Sequence, residues 1–258
     1  MTSLNKLSNA LNAYTLTFED HNLDEIRESF NKNIKDFIHN PQNKKYFAGG
    51  KTFFKPVGDY RLFSYGKYPL LWICNNNEKT YELYKRFFDN LNIQDEIKEL
   101  VDFDENIIMY SGFFVVGNHA DTDLWHYDYY PNSNAYNLIT PLFKPEKTHG
   151  GLQYELPNNQ VEVYKYKMQE AIIFGEGFMH STEPYDYSDK FRIMVSITFG
   201  TDKVEYWKFI KKTAVVTHLG RSHYCKLPCG HIRGTCNCLI KKFLDNLFNM
   251  TWEGKKNY

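Results

Sequence analysis

The chain lacks an excess of charge and any long apolar run. Across its 258 residues, 31 lysines and arginines are matched by 31 aspartates and glutamates, and the formal net charge is +0. Composition therefore gives no argument for a nucleic acid or an anionic membrane as partner, although a local basic patch is compatible with a zero sum. The opening residues, Met1-Thr2-Ser3-Leu4-Asn5-Lys6-Leu7-Ser8, have neither the basic start nor the continuous apolar stretch of a signal peptide. No later segment is apolar for long enough to span a bilayer. The expectation is a cytoplasmic protein with no membrane partner. Cysteine is scarce too: there are five, an odd number in a chain without a secretion signal, which disfavours a disulfide framework. Internal repeats and low-complexity linkers are also missing. One domain with decorations is the expectation, since all-β barrels of this length commonly form a single unit.

What is present divides into an early helical texture and a later strand texture. From Leu23 to Ile38 the apolar residues Leu23, Ile26, Phe30, Ile34, Phe37 and Ile38 recur at three and four, which predicts an amphipathic helix capped by Asp20 or Asn22 and ending before Pro41. Lys51 to Tyr65 reads as irregular or strand-like. A second helix is predicted from about Lys79 to Leu100. From Ile107 short apolar runs follow one another: Ile107 to Val116, Leu124 to Tyr130, Ala135 to Phe143, Gly151 to Leu156, Val161 to Tyr166, Ala171 to Phe174, Phe178 to Thr182 and Phe191 to Phe199. Eight strands separated by Asn, Pro, Gly and Asp turns predict a jelly-roll barrel with helices packed outside. The expected class is α+β and β-rich. Residues 1–104 form a helical layer of the same domain, residues 105–200 the barrel core, and residues 201–258 a C-terminal extension.

The chemistry concentrates in Trp125-His126-Tyr127-Asp128, with His180 about fifty residues on and Arg192 a strand's length further. On a strand, side chains alternate faces, so His126 and Asp128 project to one side while Trp125 and Tyr127 point away. His180 begins another predicted strand and can bring a third donor. Two histidines and one carboxylate that leave positions open form the ligand set of non-haem Fe(II) oxygenases. Arg192 is flanked by Phe191, Ile193, Val195 and Ile197. A guanidinium so placed requires an anionic partner, and its planar fork suits a carboxylate. That partner is either a bound dicarboxylate or an internal Asp or Glu.

With a glycine turn and strand at Thr148-His149-Gly150-Gly151-Leu152-Gln153-Tyr154 and an apolar strand at Glu170-Ala171-Ile172-Ile173-Phe174-Gly175 between these residues, the sequence resembles the 2-oxoglutarate-dependent Fe(II) dioxygenases of the double-stranded β-helix fold. The resemblance covers roughly residues 105–200. It implies Fe(II) on His126, Asp128 and His180, 2-oxoglutarate held by Arg192 with Tyr110 and Ser196 beside it, and dioxygen as oxidant. It also implies oxidation of an unactivated C–H bond, by hydroxylation or by desaturation or ring closure, with release of succinate and CO2. A small metabolite or amino-acid-like molecule is the expected substrate. The alternatives are a protein side-chain hydroxylase and a non-catalytic metal-binding jelly roll.

Departures narrow the subtype. Related halogenases have Gly or Ala in place of the carboxylate that is here Asp128. Nucleic-acid demethylating members carry a second Arg at the position of Thr198, and a further subgroup has a serine at the position of Met194. Tyr130, Asn137 and Gln153 each offer a polar group on a predicted barrel strand and are candidate substrate contacts. Near the C-terminus, Cys225, Cys229, His231, Cys236 and Cys238, with His223 nearby, are candidate ligands of a structural zinc. Their spacing fits no standard finger, and reduced or partly disulfide-linked cysteines are the alternative.

Overall fold

The computed structural model describes residues 4–48, 53–64 and 68–210. The candidate zinc ligands Cys225, Cys229, His231, Cys236 and Cys238 lie outside the described residues. In chain order the strands are β1 (Leu4–Lys6), β2 (Ala13–Thr17), β3 (Phe53–Val57), β4 (Tyr60–Ser64), β5 (Leu70–Asn75), β6 (Ile108–Gly117), β7 (Ala135–Pro141), β8 (Leu152–Glu155), β9 (Val161–Tyr164), β10 (Glu170–Phe174), β11 (His180–Thr182) and β12 (Arg192–Gly200). Among the described residues they form a nine-stranded sheet in the order β1-β2-β10-β7-β12-β6-β5-β4-β3 and a three-stranded sheet in the order β11-β8-β9. All pairings are antiparallel. This is the expected jelly-roll arrangement, with the large sheet left open. No described helix is long and apolar enough to cross a membrane.

The centre of the molecule is β12, whose sequence RIMVSITFG is buried at every position. Alternation along it assigns two faces. Ile193, Val195, Ile197 and Phe199 join the main hydrophobic core, as do Phe114 and Val116 of the neighbouring β6. Arg192, Met194 and Ser196 face the opposite side, where they line a cavity with Phe113 and Val115. The core face is covered by helices α1 (Asp24–Asn33), α2 (Lys35–His39) and α3 (Glu78–Asn90). Phe114 anchors this layer: its ring meets Phe30 at 5.2 Å and Tyr60 and Tyr84 each at 5.6 Å. The strand can approach α3 this closely because Gly112 has no side chain; a Cβ there would sit 2.1 Å from the Tyr84 ring.

The helices pack outside the sheet as expected, but their boundaries differ. The first predicted helix is interrupted at Ile34, whose φ of −121° leaves the helical range and separates α1 from α2. Asp20 and Asn22 do not cap it. Asp20 instead pairs with Arg27 at 2.6 Å. The second stops early because Asn92 adopts φ 50°, and only a short α4 (Gln94–Ile97) follows. Its start is a capping box in which the Asn77 side chain accepts from the Thr80 amide at 2.9 Å. The first 104 residues also supply β1 to β5, which extend both wings of the large sheet.

Just beyond β12, the Asp202 carboxylate accepts hydrogen bonds from the backbone amides of Asp104, Glu105 and Asn106 at 2.7, 2.8 and 2.9 Å, tying the approach to β6 onto the end of β12. Burial raises its pKa, but the backbone donors outweigh burial and hold it below the ordinary value. A depressed folded-state pKa contributes stability that is present above the unfolded value and lost as pH falls through the folded one. Asp202→Ala is expected to cost about 1–3 kcal/mol in urea unfolding at pH 7 by removing three hydrogen bonds to a charged acceptor. The gap from wild type should narrow as the pH drops below about 4.

Candidate metal and dicarboxylate site

The predicted strand from Leu124 to Tyr130 is absent. Residues 118–134 carry only isolated bridges, one of which pairs His126 with His180. Aromatic alternation in Trp-His-Tyr-Asp-Tyr-Tyr imitates a strand, yet a neighbouring chain is available at one position only. There the His126 amide donates to the His180 carbonyl at 3.0 Å and the His180 amide returns the bond at 3.1 Å. The bridge brings the imidazoles to a centroid separation of 4.4 Å. Asp128 completes the group, with carboxylate oxygens 3.4 Å from His126 Nε2 and 3.7 Å from His180 Nε2. One donor atom from each residue lies within 4.8 Å of the others, an arrangement able to hold a metal ion.

Each imidazole is oriented by the same local device. His126 Nδ1 contacts the Leu124 carbonyl at 2.7 Å, and His180 Nδ1 contacts the Phe178 carbonyl at 3.0 Å. A carbonyl accepts only, so Nδ1 carries the proton and the neutral ring's Nε2 lone pair faces Asp128. Burial pushes His180 down to about 4, which keeps it neutral at physiological pH. For His126 burial also disfavours the charged form, but the hydrogen bond and charge of Asp128 prevail and raise its pKa. Burial likewise raises Asp128, and the adjacent histidines with Asn137 overcome it, bringing the carboxyl down to about 2. The set is therefore an ionised carboxylate between two imidazoles, the donor chemistry that a hard-to-borderline divalent ion takes.

Asn137 of β7 donates through Nδ2 to Asp128 Oδ2 and accepts from the Tyr129 hydroxyl at 2.9 Å. It was a candidate substrate contact in the sequence. Its bonds make it the side chain that aims the carboxylate, although it also lines the cavity. Tyr130 is 54% exposed and outside the cavity lining, because the strand on which its alternation was counted does not form. Gln153 in β8 is hydrogen-bonded to Asp123 and does not line the cavity. Tyr110 is also displaced from the expected place beside Arg192. The β6–β12 register passes from Thr198 opposite Ser111 to Phe199 opposite Met109, leaving Tyr110 as the extra residue of a bulge. Its hydroxyl donates to the Thr201 carbonyl at 2.8 Å.

Arg192 is 3% exposed at the other end of the cavity, which has a volume of about 110 Å³ and is walled by both sheets. Its Nη1 donates to the Gly150 carbonyl at 2.6 Å and its Nη2 to Thr182 Oγ1 at 3.3 Å. The guanidinium lies 5.2 Å from the Tyr185 ring centroid and 6.0 Å from that of Tyr166. Among the described residues no carboxylate forms an ion pair with it, and its Nε has no partner. Gly150 permits this packing, since a Cβ there would meet the Glu183 carbonyl oxygen at 2.0 Å. Ser196 lines the same cavity, fully buried, with its hydroxyl unpartnered. Thr182, Tyr166 and Tyr185 were missed in the sequence. Thr182 carried a signal, because it lies two residues after His180 and so on the same face of β11.

No protein-family model matches the chain, and no curated protein matches it. Solved structures do. EctD from S. alaskensis with bound Fe aligns at a TM-score of 0.51 and 9% identity, over 78% of this chain and 85% of that one. EvdMO1 aligns at a TM-score of 0.50 and 13% identity, over 74% of this chain and 48% of that one. HygX from Streptomyces hygroscopicus, solved with nickel and 2-oxoglutarate bound, gives a TM-score of 0.47 at 8% identity, over 75% and 84%. The likeness to EctD is one of fold, a jelly roll built from two antiparallel sheets.

The three donors are expected to take one divalent ion per chain. Replacing Asn137 by Leu removes the group that aims Asp128, and Co(II) titration followed by visible absorption should show affinity weakened roughly 10–100-fold.

Proposed function

We propose that this chain is an Fe(II)- and 2-oxoglutarate-dependent oxygenase that oxidises a C–H bond of a small molecule, by hydroxylation or by desaturation or ring closure. The observation that carries the reading is a cavity joining a His-Asp-His donor set to a buried arginine that has no carboxylate partner among the described residues. Iron would sit on His126, Asp128 and His180, and the far carboxylate of 2-oxoglutarate would pair with Arg192. The bound pair would supply the oxidising power for C–H cleavage by coupling reduction of dioxygen to decarboxylation of 2-oxoglutarate to succinate and CO2.

The chain's own groups have defined tasks around that pair. The carbonyls of Leu124 and Phe178 hold both imidazoles in the tautomer that presents Nε2. Asn137 fixes the carboxylate. Gly150 and Thr182 hold the Arg192 fork in place, and Tyr166 and Tyr185 screen it from water, which strengthens its attraction for a dianion. A metal used only for structure would need neither an arginine with an unpaired donor nor open space between the arginine and the ligands.

Purified protein supplied with Fe(II), ascorbate, dioxygen and 2-oxoglutarate is expected to form succinate, and His126→Ala, Asp128→Ala and His180→Ala to abolish it. Arg192→Ala should weaken 2-oxoglutarate binding by about 2–5 kcal/mol, with Arg192→Lys retaining part of the affinity. An unchanged 2-oxoglutarate constant in a folded Arg192→Ala protein, measured by calorimetry, would reject the assignment.

A further inference from the structure

The cavity extends beyond the donors and Arg192 along β5 and β6, and the composition of that end limits what it can receive. Cross-strand register places Trp72 of β5 opposite Val115 of β6, and Val115 opposite Met194 of β12. One row further, Phe113 stands opposite Ser196. These side chains, with Tyr68 and Leu70, form one wall of the cavity, and Leu124, just ahead of His126, lines it as well. Among the described residues, every side chain lining the cavity apart from His126, Asp128, His180 and Arg192 is uncharged.

On the proposed reading, all four of those groups are already engaged. The carboxylate and imidazoles hold the ion, and the guanidinium holds the cosubstrate. Among the described residues, nothing in the rest of the lining can neutralise an ammonium or a carboxylate, and burying either without a partner costs far more than the apolar contacts can return. The Trp72 indole packs against Phe63 at a centroid distance of 6.3 Å, and the part of it that lines the cavity adds apolar surface beside buried Phe113 for dispersion. The fully buried Ser196 hydroxyl leaves room for one hydrogen bond to a neutral acceptor or donor.

We infer that the primary substrate is a neutral small molecule that presents an apolar or aromatic ring to the Trp72–Val115–Phe113 wall, and that free amino acids and other zwitterions are excluded. This rests on the proposed cofactor assignment and narrows it, and it replaces the amino-acid-like substrate expected from the sequence. Indole and L-tryptophan make a direct test, because they share a ring and differ by an ammonium and a carboxylate.

The protein loaded with Co(II) and saturating 2-oxoglutarate is titrated with each compound by calorimetry, after 2-oxoglutarate binding has been measured alone. Indole should bind at least tenfold more tightly than L-tryptophan. Trp72→Ala should weaken indole at least tenfold with the 2-oxoglutarate constant unchanged. Val115→Asp, which adds a carboxylate to the wall, should abolish the preference for the neutral ring. Should Trp72→Ala not fold, Val115→Trp provides the second variant, filling the space and displacing indole but not 2-oxoglutarate. Equal or tighter binding of L-tryptophan, or indole binding indifferent to these substitutions, overturns the substrate class. So does binding of unfolded casein peptides in competition with indole, which would indicate a protein substrate. Failure of 2-oxoglutarate to bind the wild-type protein in the first titration instead overturns the cofactor assignment, and this inference with it.

Discussion

Two backbone hydrogen bonds between His126 and His180 bring the candidate centre together, and the rest of the site depends on them. His126 and Asp128 lie in a stretch with no strand of its own, while His180 begins β11 of the small sheet. The Leu124 amide adds a bond to Ser181 Oγ at 2.7 Å, next to His180, so the loop donors are held to the strand of the third. With the bridge, the two imidazoles lie side by side, and the carbonyl two residues before each histidine sets its tautomer. Ring orientation is therefore set by backbone carbonyls, while Asp128 relies on the Asn137 side chain and Leu124 on that of Ser181.

The opposite end of the cavity depends on the pleat of β12. Because that strand is buried on both faces, alternate residues serve different purposes: one set fills the core under the helices, and the other provides Arg192, Met194 and Ser196 to the cavity. A one-residue slip of β12 against β6 would exchange the two sets, placing Arg192 in the apolar core. The phenylalanine and tyrosine rings that meet Phe114 thus protect more than stability, since they hold the register on which the arginine's direction depends.

The parts legible in the sequence were those whose local pattern matches their final environment. His126, Asp128, His180 and Arg192 were picked out by spacing and by the improbability of an arginine in an apolar strand; the structure draws the first three together, and among the described residues no carboxylate pairs with Arg192. The strands from β6 onward were recognisable from turn residues and apolar runs. Leu70–Asn75 was not, because a continuous run, LLWICN, buried almost throughout, shows no period of two. Tyr110, Tyr130 and Gln153 lie off the cavity lining for a common reason. Counting alternate positions presumes an uninterrupted strand and an unoccupied side chain, whereas Tyr110 is a bulge residue, Tyr130 follows no strand, and Gln153 is taken by Asp123.

The strandless stretch 118–134 also gives the molecule a seam. It is joined to its surroundings through the bridges Ala120–Tyr185 and His126–His180, single backbone bonds at its two ends from Ser188 to Asn118 and from Thr201 to Asn134, and side-chain contacts, whereas the sheet behind it is laddered along its length. Segments with few ladder bonds open at lower free energy than the sheets they rest on. An ion held by two residues of this stretch and one of β11 would fasten that seam, its binding energy adding to the local stability and not to that of the core. Loading and release of metal would then require only the loop to part from β11, with the nine-stranded sheet intact.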